Sequence, residues 1–362
     1  MGSLRTGEPG ARIAPVPRIL RDPVEVMAAK RGAPEAVDLF AGAGGLSLGL
    51  QAAGFAVTAA VESDPDACAT YRAHHPTTRV FAQDIATVDF RAMRGCFALV
   101  AGGPPCQPFS VGGKRLAAED PRNGVPQFLR AVAELAPAAV LMENVAGMAT
   151  AGKRSYLLDV IGQIERLGYT TAWRVLQAAD YGVAQKRQRL FIVGCRGPVF
   201  AFPVPTYGRA GGRPHRPAGS VIDGRQPVGQ LNDAIVTYAR RPSLRPGPYH
   251  GHLYNGGGRP IELARPAPTL LASMGGNKTP WVDTLGIVPQ YHAHLMSGGP
   301  PRQGRVPGAR RITVEEAALV QGFPPGTTFA GHRSSRYRQV GNAVPPLLAE
   351  RLGHALARHL SV

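Results

Sequence analysis

Between residues 36 and 194 short β-branched runs alternate with stretches of helical composition, and that rhythm leaves few folds open. A strand followed by a helix and then another strand calls for a parallel sheet covered by helices on both faces. The spacing predicts strands over Ala36–Phe40, Ala56–Glu62, Arg79–Ala82, Ala98–Ala101, Ala138–Glu143, Thr170–Leu176 and Arg189–Val193. Helices fit between them, for example Leu46–Ala53, closed by Gly54 in the C′ role. The expected architecture is α/β and Rossmann-like, with a mostly parallel sheet.

Beyond Gly194 the rhythm fails. Of the 34 prolines, 17 fall between Cys195 and Arg311, so long helices are unexpected there. The predicted organisation is a loosely tied extension over 1–34, a first domain over 35–198, a smaller irregular domain over 199–305, and a return to the first domain over 306–362. Helical text resumes with Thr313-Val314-Glu315-Glu316, a capping box ahead of Ala317–Gln321, and closes with an amphipathic helix over Pro345–Leu360.

Charge points to a partner. The 41 basic and 24 acidic residues give a net +17, and 15 bases against four acids lie between Cys195 and Arg311. Only five of the bases are lysines, which fits GC-rich coding, but swapping Lys for Arg does not create an excess of bases over acids. A polyanion, above all nucleic acid, is the expected partner. No apolar run reaches the length of a membrane span, and the opening residues lack the apolar stretch of a secretory signal. Cys68, Cys96, Cys106 and Cys195 lie far apart with no C-x-x-C pair. That predicts neither disulfides nor a metal site and suits the cytoplasm.

Five strand ends carry chemistry. Asp38-Leu39-Phe40-Ala41-Gly42-Ala43-Gly44-Gly45 runs a strand into a glycine turn and a helix, where backbone can approach a ligand closely. Ser47 occupies the third fingerprint position, which disfavours a pyrophosphate. Glu62 and Asp84 end the next two strands, where acids can accept from ribose hydroxyls. Together they predict an adenosine ligand without a pyrophosphate, for which S-adenosylmethionine is the best fit. Gly102-Gly103-Pro104-Pro105-Cys106 follows the fourth strand, and the stiff prolines predict a thiol exposed to the cleft, able to act as a nucleophile. Glu143 ends an apolar strand, where partial burial would raise its pKa and suit it to share a proton. In Gln185-Lys186-Arg187-Gln188-Arg189, period two sends Gln185, Arg187 and Arg189 to one face, an expected substrate contact.

These residues carry a resemblance. Asp38–Leu50, Gly102–Ser110, Glu143–Val145, Gln185–Gly194, Gln321–Pro324 and Gln339–Pro345 resemble, in order, the motifs of the DNA cytosine-C5 methyltransferases. The similarity spans nearly all of 36–350. It implies the S-adenosylmethionine-dependent methyltransferase fold and a bacterial restriction–modification enzyme acting on double-stranded DNA, expected to be a monomer with a cognate restriction endonuclease as its functional partner. For the cofactor it implies Phe40 on the adenine, with Gly42, Gly44, Gly45, Leu46, Glu62, Ser63, Asp84, Ile85, Pro104, Asn342 and Ala343 around it. Cys106 matches the nucleophile that attacks cytosine C6, and Glu143 the acid at N3. Arg187 and Arg189 match residues near the flipped base. Gln107, Ser110, Gln185, Thr269 and Leu270 are the implied substrate contacts, and residues 199–305 the target-recognition domain.

Two departures stand out. Glu315 replaces an Arg that the family places before Gln-Gly-Phe-Pro, so Arg310 or Arg311 is expected to support the recognition domain instead. Val125-Pro126 replaces the family's Leu and a following apolar residue. Alternatives are a tRNA cytosine methyltransferase, which the long recognition segment disfavours, a silent DNA-binding homologue, which intact Cys106, Glu143 and Arg189 disfavour, and a nicotinamide dehydrogenase, which the incomplete glycine fingerprint disfavours.

Overall fold

A computed structural model of the chain describes residues 32–106, 123–222, 234–244, 253–254, 259–275 and 278–361. Its main sheet has seven strands: β1 Glu35–Leu39, β2 Ala56–Glu62, β3 Arg79–Ala82, β4 Leu99–Gly102, β5 Ala139–Val145, β6 Thr170–Gln177 and β7 Gln188–Cys195. Their order is β3-β2-β1-β4-β5-β7-β6. Strands β1 to β5 pair in parallel, and β7 runs antiparallel to both β5 and β6. The predicted strands recur with ends moved by a residue or two.

Period two builds the core. Val37, Leu39, Val100, Val140 and Met142 point into one buried cluster. Ala36, Leu99, Ala101, Ala139 and Leu141 point into another on the opposite face. A sheet buried on both sides needs helices on both sides. Helices α3 (Val125–Leu135) and α4 (Arg154–Arg166) cover the first face, while α1 (Gly45–Ala52) and the last helix, α9 (Pro346–Leu360), cover the second. The α1–α9 contact is close because two glycines permit it. A Cβ on Gly49 would lie 2.5 Å from the Pro346 carbonyl oxygen, and one on Gly353 2.6 Å from the Ala53 Cβ. Helix α2 (Pro65–His74) follows β2, capped by Asp64, which accepts from Asp66 N and Ala67 N. Pro126 falls in the first turn of α3, where a missing N–H costs nothing. The unusual Val125-Pro126 is thus accommodated, with Val125 buried.

The chain after β7 is irregular. It holds the single turn α5 (Gly208–Gly211), the pair β8 (Thr237–Tyr238) and β9 (Leu253–Tyr254), and a second small sheet. That sheet comprises β10 (Pro260–Ile261), β11 (Trp281–Asp283) and β12 (Ala309–Arg311), with α6 (Ile287–Met296) inserted before β12. Helix α7 (Val314–Gln321) opens with the expected capping box: Thr313 Oγ1 accepts from Glu316 N, and the Glu316 carboxylate from Thr313 N. Glu316 also takes a two-pronged ion pair from buried Arg310 on β12, at 2.7 and 2.8 Å. Arg310 thus braces the start of α7, and β12, which carries it, pairs with β11. Helix α8 (Arg333–Asn342) leads into α9. No helix among the described residues is long and apolar enough to cross a membrane. The proposed extension falls outside the described residues except for 32–34.

Candidate active site

The order of the sheet reverses between β1 and β4, and in open α/β sheets ligands sit at the carboxyl ends beside such a switch. The glycine turn leaves β1 there. Phe40 is held at φ 57°, a left-handed conformation rare for a side-chain-bearing residue, and Gly42 and Gly44 follow at φ 55° and 82°. The Glu62 carboxylate fixes the turn. One oxygen accepts from Gly42 N and the other from Ser63 N and Asp64 N, all at 2.8 Å. Below it lies a buried chain. Ser47 Oγ donates to the Asp38 carboxylate at 2.6 Å and lies 2.7 Å from the Tyr71 hydroxyl. Burial pushes the Asp38 carboxyl up to about 7. This chain accounts for Ser47 at the third fingerprint position: its hydroxyl is spent inward.

The residues around the turn divide into two sets. A Cβ on Gly42 would meet nothing within 4 Å, so the turn's outer face is open. Around it, Ser63, Asp84 and Asn342 are exposed and Phe40 and Glu62 half-buried. These groups fit an adenosine ligand: an aromatic face, a fixed carboxylate and an approachable backbone. Gly45, Leu46, Ile85 and Ala343 instead pack into the interior. Leu46 and Ile85 point their side chains into the two faces of the main core, so only their backbones can meet a ligand.

At the next strand end, Pro104 is buried and its carbonyl accepts from Asn144 Nδ2 at 3.1 Å. The expected exposed thiol is corrected: Cys106 is only 7% exposed and belongs to the core cluster. It forms an isolated bridge with Asn123, whose Nδ2 donates to the Tyr156 hydroxyl at 2.8 Å. Burial pushes the Cys106 thiol up to about 12, with the Lys153 charge opposing. Glu143 lies one strand over. Its Oε1 pairs with Arg189 Nε at 2.9 Å, while Oε2 rests where a Cβ on Gly103 would be 3.1 Å away. Burial raises the Glu143 pKa, and Arg189 and then Arg187 oppose the rise. Cys106, Glu143 and Arg189 are thus gathered at adjacent strand ends. Gln107 and Ser110 lie outside the described residues.

The one face expected for Gln185, Arg187 and Arg189 is split: Arg189 is half-buried beside Glu143, while Gln185 and Arg187 turn inward. Strand β7 begins only at Gln188, and Gln185 bridges to Ala267 instead. Gln185, Arg187 and Leu270 are at most 1% exposed, and the Gln185 amide, the two Arg187 Nη groups and the Leu270 backbone bond inside the protein. Leu270 is a core residue, packed with Ile261, Val340 and Phe323. Its neighbour Leu271 is the exposed one, at 52%. Thr269 is half-buried and donates to the Lys186 carbonyl at 2.7 Å. Residue reading missed Asn123, Tyr156 and Gln321. Asn123, in the stretch that leads into Val125-Pro126, and Gln321 lie in recognised motifs and so carried a signal, whereas Tyr156 carried none.

Comparison with known proteins points to one family. Residues 35–207 and 267–358 match the family described as C-5 cytosine-specific DNA methylase. The chain is 34% identical to the Type II methyltransferase M1.HphI of Haemophilus parahaemolyticus, over 89% of this chain and 86% of that one. It is 31% identical to the Type II methyltransferase M.NgoMIV of Neisseria gonorrhoeae, over 90% and 97%. In fold it resembles a putative prophage DNA modification methyltransferase from E. coli, with TM-score 0.60, 22% identity and coverage of 91% and 100%. It also resembles a Spodoptera frugiperda DNMT2 variant, with TM-score 0.64, 18% identity and coverage of 90% and 100%.

Proposed function

The chain belongs to the C-5 cytosine-specific DNA methylase family, and from that premise we propose that it methylates a cytosine turned out of double-stranded DNA through a covalent bond to Cys106. Its activity is that of a DNA (cytosine-5-)-methyltransferase, and its cofactor is S-adenosyl-L-methionine. Bound at the glycine turn, the cofactor supplies an electrophilic sulfonium methyl. Phe40 offers a face to the adenine, Glu62 its remaining lone pairs to the ribose hydroxyls, and the Asn342 edge the methionine end.

Cytosine C5 is a weak nucleophile, and the protein must activate it. The Cys106 thiol gives its proton to solvent and its sulfur adds to C6, which moves the C5–C6 π pair toward C5 and the ring. Glu143, whose burial raises its pKa against the pull of Arg189 and Arg187, gives a proton or a hydrogen bond to N3 and so takes up the displaced charge. Arg189 holds the Glu143 carboxyl in register by its 2.9 Å contact. After C5 gains the methyl, loss of the C5 proton to a base and departure of the Cys106 thiolate restore the ring. A stacked base cannot reach this pocket, so the nucleotide leaves the duplex at a cost of about a few kcal/mol.

The observation that carries the reading is the buried Glu143–Arg189 pair at the strand end next to the Pro104-Pro105-Cys106 turn. We assign 35–198 and 306–362 to catalysis and cofactor, and 199–305 to target recognition. The relatives' names, Type II methyltransferases, support a place in restriction–modification, and our proposal adds an endonuclease of the same site as functional partner and a cytoplasmic monomer. Bisulfite sequencing of DNA from a host expressing the chain should reveal methylated cytosine in one sequence context. Duplexes with 5-fluorocytosine at that position should trap wild-type protein covalently. Equal trapping of Cys106→Ala would sink the assignment.

A further inference from the structure

Arg187 sits where three segments distant in sequence meet. Its Nη1 donates to the Leu270 carbonyl at 3.0 Å, and its Nη2 to the Gly341 and Ala343 carbonyls at 2.8 and 3.1 Å. The side chain is buried, and a planar guanidinium fork spans such a set where a point-like ammonium cannot. Gln185 and Gln321 complete the joint. Gln185 Oε1 accepts from Leu270 N at 3.0 Å, its Nε2 donates to Gln321 Oε1 at 2.6 Å, and Gln321 Nε2 donates to the Ala343 carbonyl at 2.6 Å.

The segments on either side also touch directly. A Cβ on Gly341 would lie 2.5 Å from the Leu271 carbonyl oxygen and 2.6 Å from Ala272 N, so these backbones meet only because residue 341 is glycine. Past Ala343 the chain reaches the cofactor turn: a Cβ on Gly45 would be 2.5 Å from the Val344 carbonyl oxygen and 3.2 Å from the Ala343 Cβ. A continuous line of close backbone contacts and buried hydrogen bonds therefore joins Thr269 and Leu271 to the glycine turn, with Arg187 at its middle. One donor of Arg187 is left over. Its buried Nε has no hydrogen-bond partner, and a buried unmatched donor is costly, so a small shift of the joint can improve its hydrogen bonding. Arg187 also feels the catalytic pair electrostatically, repelled by Arg189 and attracted by Glu143.

We propose that Arg187 is a positioning residue that couples the two ligands, so that cofactor at the glycine turn and DNA on the 267–272 stretch each tighten the binding of the other. Cofactor that steadies Ala343 steadies the fork, and the fork steadies Leu270 and the exposed Leu271 beside it. Linkage makes the effect reciprocal. The inference rests on the functional reading above, in which these are the cofactor and DNA sites.

The test is a binding cycle with S-adenosylhomocysteine, which cannot turn over, and a duplex carrying the site found by bisulfite sequencing. Titration calorimetry of the wild type with each ligand, alone and with the other saturating, should give a coupling factor of roughly 5–150-fold. Arg187→Lys keeps the charge but cannot span three carbonyls. It should bind each ligand alone within a few-fold of wild type while its coupling factor falls toward one. Gly341→Ala, which forces the 341 and 271 backbones apart while keeping Arg187, should lower the factor too, and stands in if Arg187→Lys does not fold. Wild-type coupling retained in a folded variant would overturn the proposal, as would a wild-type factor of one with both ligands bound. Failure of the wild type to bind S-adenosylhomocysteine at all would instead overturn the functional reading and the coupling with it.

Discussion

The carboxyl ends of β1, β2, β4 and β5 and the region after β7 are built in opposite ways. At the sheet edge the backbone ladder places the chemistry. Gly102 registers with Met142, so Gly103 and Glu143 come next to one another whatever their side chains do. After β7 the strands are two or three residues long, and placement falls to individual side chains: Arg187 and Gln185 on Leu270, Arg310 on Glu316. A ladder spreads the load over many bonds, whereas a seam of this kind concentrates it on a few buried donors. Substitutions at the sheet edge should therefore remove chemistry and leave the fold, and those along the seam should do the reverse.

The largest effect belongs to the sheet edge. Cys106→Ser should lower methyl transfer by at least about 10³-fold, because an alcohol is a far weaker nucleophile than a thiolate, with the melting temperature little changed. Since the thiol is pushed up to about 12, the thiolate fraction grows as pH rises toward that value. Wild-type trapping on 5-fluorocytosine duplexes should thus accelerate about tenfold per pH unit between neutral and mildly alkaline pH. A rate flat across that range would mean that the thiol is already ionised before attack.

Arg310→Ala probes the seam. It strands the Glu316 carboxylate in a buried position, which should cost about 3–5 kcal/mol of stability, read from denaturant midpoints. Methylation per folded molecule should fall far less than in Cys106→Ser. If activity collapsed while stability held, the contrast between the two regions would fail. Glu62→Ala comes next. It removes the acceptor of three backbone N–H groups as well as the proposed ribose contact, and should weaken S-adenosylhomocysteine by about 10- to 100-fold with DNA affinity near wild type. Calorimetry measures both.

The smallest effects should come from the exposed arginines Arg240, Arg241, Arg259 and Arg265. A residue that meets phosphate should lower the slope of log K against log salt by about one when replaced by Ala, on any duplex. One that reads a base should cost about 1–3 kcal/mol on the cognate site alone. A salt series on cognate and random duplexes sorts them. Were none to change either quantity, recognition would have to lie elsewhere.

Much of this was legible in the amino-acid order because strands and their ends announce themselves locally. Alternation, a glycine turn and a proline-braced cysteine are features of neighbouring residues, so β2 and β3 recur at their predicted bounds and Gly54 follows α1 in the left-handed conformation. Ser47 could be seen to break a fingerprint, but not that its hydroxyl was committed to Asp38.

What only the tertiary structure decided is which polar side chains face the cleft and which are spent inside. Arg187 and Arg189 are two positions apart in one motif, yet Arg189 pairs with Glu143 while Arg187 turns to carbonyls 83, 154 and 156 positions away. Cys106 sits in a turn that reads as open, yet packing against Asn123 and the core buries it. Sequence carries a residue's hydrogen-bonding capacity and its local conformation. Burial, and the partner a donor finds, depend on which distant backbone arrives beside it, and that is settled only when the sheet, the seam and α8 have packed together.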